Sequence, residues 1–67
     1  MTNLKMIKEF CKDYFEDIKV NNEMIKEVER MFNEFMLNKE SLGLEHDIEL
    51  FFNENEFGIE CELESWN

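Results

Sequence analysis

The sequence predicts an α+β domain in ααββ order, an antiparallel helical hairpin followed by a two-stranded antiparallel β-hairpin, and three observations point there. Apolar residues recur at spacings of three and four up to about residue 39; they then alternate at a spacing of two from residue 45 to the end; Gly43 stands near the switch. At 67 residues the chain is read as a single small domain, 1–67, and its 43% hydrophobic content with seven Phe is too high for a disordered acidic tail.

The first helix is expected over Thr2–Val20, on a stripe of Leu4, Ile7, Cys11, Tyr14, Phe15 and Ile18 widened by Met6 and Phe10, with Thr2 or Asn3 as N-cap. Val20-Asn21-Asn22 interrupts the period with residues that favour turns and caps. A second helix from Asn22 to about Lys39 follows from Met24, Ile25, Val28, Met31, Phe32, Phe35 and Met36, and Gly43 suits its stop. A short connection makes the two helices antiparallel neighbours.

Beyond Gly43, His46, Ile48, Leu50 and Phe52, then Phe57, Ile59, Cys61 and Leu63, fall on one parity. Glu45, Asp47, Glu49 and Phe51, then Gly58, Glu60, Glu62, Glu64 and Trp66, fall on the other. Two half-buried strands joined through Asn53-Glu54-Asn55-Glu56 are expected. Pairing Phe52 with Phe57 sets a register in which Glu49 faces Glu60, Asp47 faces Glu62 and Glu45 faces Glu64 on the outer surface.

The charge is local. Residues 1–43 hold all seven Lys and Arg against nine acids, whereas residues 44–67 hold eight acids and neither Lys nor Arg, out of a total formal charge of −10. Like charges facing one another destabilise a sheet, so an acidic ladder suggests a surface kept for a cationic partner. Same-strand carboxylates would repeat at about 6.6 to 6.8 Å, near the separation of successive phosphates on a nucleic-acid strand. The competing explanation is that acids keep exposed strand edges from aggregating. Phe51 and Trp66, on the ladder's face in this register, complete the expected partner-binding set of Glu45, Asp47, Glu49, Phe51, Glu60, Glu62, Glu64 and Trp66. Phe51 covering Gly58, and Trp66 folding back to cap the core, are the structural alternatives.

In size, charge and the segment Asp47–Trp66 (DIELFFNENEFGIECELESW), the chain resembles the small acidic inhibitors that phages and mobile elements deploy against host DNA-targeting enzymes: anti-CRISPR, anti-restriction and glycosylase-inhibitor proteins. That resemblance is one of class, without a shared motif. It implies a bacterial host and, as the basic partner that the negative balance favours, a nucleic-acid-binding protein of nuclease or CRISPR-effector type, inhibited by competition; the lack of a membrane span and of a signal-peptide layout at the N-terminus makes the cytoplasm the expected location. An antitoxin or immunity protein neutralising a basic toxin is the alternative; a structural subunit that forms a homodimer through its helical Met and Phe residues is another.

Other chemistries are set aside. An acidic chain is a poor direct ligand for nucleic acid or an anionic membrane, and no apolar run reaches the length of a membrane span. Cys11 and Cys61 lack metal-site spacing and read as reduced core residues, with a single bridge between them as the alternative. Asn53-x-Asn55-x-Phe57-Gly58 with Glu64 only partly echoes a calcium loop, because Phe57 occupies a ligand position. His46, the single histidine, has no second imidazole with which to build a zinc site or a triad. No catalytic motif is present, so a non-enzyme without metal or cofactor is expected.

Overall fold

The computed structural model describes residues 3–66, and it contains three helices: α1 (Asn3–Tyr14), α2 (Asn22–Met36) and α3 (Leu44–Glu64). Among the described residues there is no strand. The expected helical pair is therefore present, and the expected β-hairpin is replaced by one long helix; the domain is all-α rather than α+β.

Asn3 is already helical, while Thr2, the other expected cap, lies outside the described residues. α1 ends at Tyr14, earlier than its apolar stripe suggested. Phe15 closes it by donating its N–H to the Cys11 carbonyl, and the chain then turns through an Ile18 N–H to Phe15 carbonyl bond. Phe15 stays buried although it is outside the helix. α2 is capped by Asn21, whose side chain accepts from the Met24 N–H at 2.9 Å, a bond that satisfies one of the orphan donors of a helix start.

Each helix packs against the other two. The core gathers Ile7, Cys11 and Phe15 from α1 and its following turn, Met24, Ile25, Val28 and Phe32 from α2, and Ile48, Phe51, Phe52, Ile59 and Leu63 from α3. Met6, Phe10, Met31, Phe35 and Met36 pack against this cluster. The helical Met and Phe residues therefore build the core of one chain. α3 divides its aromatic pair between its neighbours. Phe52 meets Phe10 and Tyr14, with ring centroids 5.4 and 5.3 Å away; Phe51 meets Phe32 and Phe35 at 5.5 and 5.3 Å. Consecutive residues of a helix point about 100° apart, and that angle lets one dipeptide wedge into both partners.

The start of α3 is held by a compact set of bonds. Gly43 is its N-cap with φ +118°, ψ 142°, a conformation open in practice to glycine. Asp47, inside the first turns, accepts from Leu42 N–H at 3.0 Å and from Ser41 Oγ at 2.6 Å. Its carboxylate thus reaches back to the chain entering the helix, as in a capping box. The helix is interrupted once, at Asn55 (φ −124°, ψ 20°), where the Asn55 amide donates to the Phe51 carbonyl at 3.1 Å. The Asn53–Glu56 segment, expected as a turn between strands, accordingly makes a kink inside a helix.

Candidate functional site

Placing residues 44–64 on a helix rearranges every expected neighbour. The opposed pairs Glu49–Glu60, Asp47–Glu62 and Glu45–Glu64 are not pairs at all; along α3 they are separated by roughly 16 to 29 Å of helix rise. New neighbours appear one turn apart: Glu45 with Glu49, Glu56 with Glu60, and Glu60 with Glu64.

Glu45, Glu49 and Glu64 are exposed, and Glu60 and Glu62 are half-buried. Glu62 lies within the electrostatic reach of Arg30, the α2 guanidinium that pairs with Glu27 and Glu34. Glu27 is held below the ordinary carboxylate range by its hydrogen bond to Arg30. Asp47 leaves the expected binding set: it is buried, with 5% of its surface accessible. Its carboxyl is held below its ordinary value by the Ser41 hydroxyl first and the Leu42 N–H second, with His46 adding to the effect and desolvation opposing it. Phe51 leaves the set too, since it sits in the core at 1% exposure rather than beside the carboxylates. Trp66, just past α3, remains 46% exposed, so it does not seal the core.

Residues that the strand register turned inward come to the surface in exchange. Phe57 is 77% exposed, and Cys61, one turn further on, is exposed as well, as is His46. Both cysteines are free. Cys11 alone behaves as the expected core thiol, and burial pushes its pKa up to about 12, which leaves it inert. Glu54 and Glu56 are exposed on α3 and were absent from the expected set. A helical reading accounts for the exposure of Phe57, which lies two positions from the buried Ile59, because a two-residue step turns a helix by about 200°.

The acids at the C-terminal end of α3 sit where they weaken the helix that carries them, unlike Glu45 and Asp47 in its first turn. Glu60, Glu62 and Glu64 occupy the end of α3, where the helix dipole is negative and no basic residue stands in the last turn. The like-charged neighbours one turn apart add repulsion. Next to Glu60, an open cleft of about 340 Å³ is lined by Asp13, Glu16 and Asp17 together with Tyr14 and Phe15. Among the described residues no group of three or more His, Cys, Asp or Glu is arranged to hold a metal ion. No described helix is long and apolar enough to cross a membrane.

Comparison of the chain with protein-family models, with curated proteins and with solved structures gives no match.

Proposed function

We propose that the protein is a non-enzymatic binding module whose α3 presents carboxylates to the basic, nucleic-acid-binding surface of another protein, acting as a competitive inhibitor of a host defence or DNA-processing enzyme. The observation that carries this is the uncompensated charge of α3: eight acids in one 21-residue helix with no Lys or Arg. Asp47 is consumed by the helix start and Glu62 is partly balanced by Arg30. Six carboxylates remain along about 31 Å of helix, or about one charge every 5 Å. One strand of duplex DNA carries a charge every 3.4 Å, so α3 offers a cation-lined groove about two thirds of the linear charge density of one phosphate backbone. The strand spacing that first suggested mimicry is absent; linear charge density on a helix takes its place. Electrostatic steering would speed the encounter.

The test is a pull-down from bacterial lysate with and without excess duplex DNA, comparing wild type with the fourfold Glu45→Gln, Glu49→Gln, Glu56→Gln, Glu64→Gln variant. All four residues are exposed, so the variant should fold. Capture of a nucleic-acid-binding protein that DNA displaces, and that the variant fails to retain, is the expected result. A partner that the variant retains, or that DNA leaves in place, overturns the proposal.

A further inference from the structure

Two adjacent residues of α3 run against what the fold requires. Phe57 places a large apolar ring in water at 77% exposure. Gly58 follows it inside a helix, where glycine is costly relative to alanine. Nothing in the structure demands that glycine: its backbone is helical, and a Cβ built there would meet nothing within 4 Å. Gly43, by contrast, is required by its positive φ. Leu37 and Leu42 are about as exposed, so it is the pairing of Phe57 with an unrequired helical glycine that singles out this place, and such local conflicts are expected at functional or strained sites.

Past the kink at Asn55 the two residues lie beside exposed Cys61, one turn from Phe57, with exposed Glu56 immediately before them and half-buried Glu60 three positions after Phe57. The result is a small apolar step in which Phe57 stands out and the bare backbone at Gly58 lies back, flanked by carboxylates. A docking segment can rest directly on the backbone at Gly58 while an aliphatic side chain packs on the Phe57 ring, and cations on either side of it meet the acids. A second copy of this face is a poor occupant, because it would bring two like-charged α3 helices together.

We infer that Phe57 and Gly58 form the specificity-determining anchor of the acidic face, and that what they accept is a basic amphipathic segment carrying an aliphatic residue flanked by Lys or Arg. This rests on the proposed basic partner and narrows it: the cationic surface must include an apolar element, so charge alone will not satisfy the site.

Titration calorimetry with two synthetic probes separates the two claims. One probe is an amphipathic helical peptide of Lys and Leu; the other is an oligolysine of equal charge. Wild type should bind the Lys/Leu peptide about tenfold more tightly than oligolysine, the scale expected when one aromatic anchor is engaged. Phe57→Ser and Gly58→Leu, both at exposed positions, should each bring the two affinities within about twofold, whereas Leu42→Ser, at another exposed apolar residue, should leave the preference intact. Equal affinities in wild type, or a preference that survives both α3 substitutions, overturn the anchor while leaving the acidic-face proposal standing. Failure of both peptides to bind wild type overturns both.

Discussion

The Tyr14 hydroxyl donates a hydrogen bond to Asn53 Oδ1 at 2.5 Å, joining the last residue of α1 to the middle of α3 across 39 positions of sequence. It fixes α3 two residues before the kink at Asn55, on the same side as the Tyr14–Phe52 ring contact. Because the bond is exposed, water replaces it at little cost. Tyr14→Phe keeps the ring against Phe52 and should lower stability by no more than about 1 kcal/mol, measured by urea unfolding followed by circular dichroism.

Phe51 and Phe57 distinguish the helical arrangement from a β-hairpin. In the hairpin register Phe51 faces solvent and Phe57 the core; on α3 their places are exchanged, with Phe51 packed on Phe32 and Phe35. Phe51→Ala should cost about 3–5 kcal/mol, which matches the whole stability of a domain this small, so the variant should be largely unfolded at 25 °C. Phe57→Ala should change stability by no more than about 0.5 kcal/mol. Far-ultraviolet circular dichroism with urea titration of both variants checks the pair.

The first two helices were legible because their apolar residues recur at three and four and nowhere alternate for long. Asn21 also announced the second start, through a side chain suited to capping. In the last third two periods coincide. Along the parity row 46, 48, 50, 52 and 57, 59, 61, 63, only Ile48, Phe52, Ile59 and Leu63 are buried. Burial therefore recurs every fourth residue within each run, which is a helix's step, and the intervening His46, Leu50, Phe57 and Cys61 only imitate a strand. Phe51 beside Phe52 was the decisive conflict: strict alternation has to expose one of them, whereas a helix packed on two neighbours buries both. The acidity of residues 44–67 is a fact of the sequence, but which carboxylates stand together depends on the period. The same dependence puts Asp47 inside on a helix and outside on a strand.

The two glycines should respond in opposite directions to the same substitution. Gly43→Ala forces a side chain into a backbone region with φ +118°, and, since a Cβ there meets nothing within 4 Å, the cost of about 1–3 kcal/mol is purely conformational. Gly58→Ala removes a helix-interior glycine in open space and should stabilise by about 0.5–1 kcal/mol. Thermal unfolding of the two variants beside wild type gives both signs. A loss of stability in Gly58→Ala would mean that residues 56–64 are not helical in solution.

Asp47 gives the fold a definite pH dependence. Its carboxyl is held below its ordinary value of 3.8 in the folded chain by Ser41 and Leu42, so folding favours the ionised form. The stabilisation is complete well above pH 3.8 and is lost as the pH falls through the lower, folded-state pKa. A variant that lacks only the Asp47 charge isolates this contribution. Asp47→Asn keeps an oxygen for the Leu42 N–H and removes the charge, and the other acids are common to both proteins. The stability difference between wild type and Asp47→Asn should therefore be largest near neutral pH and shrink on acidification below about pH 4. Urea midpoints at a series of pH values would show it, and a difference that stays constant down to about pH 2 would mean that the Asp47 carboxylate does not hold the start of α3 through its charge.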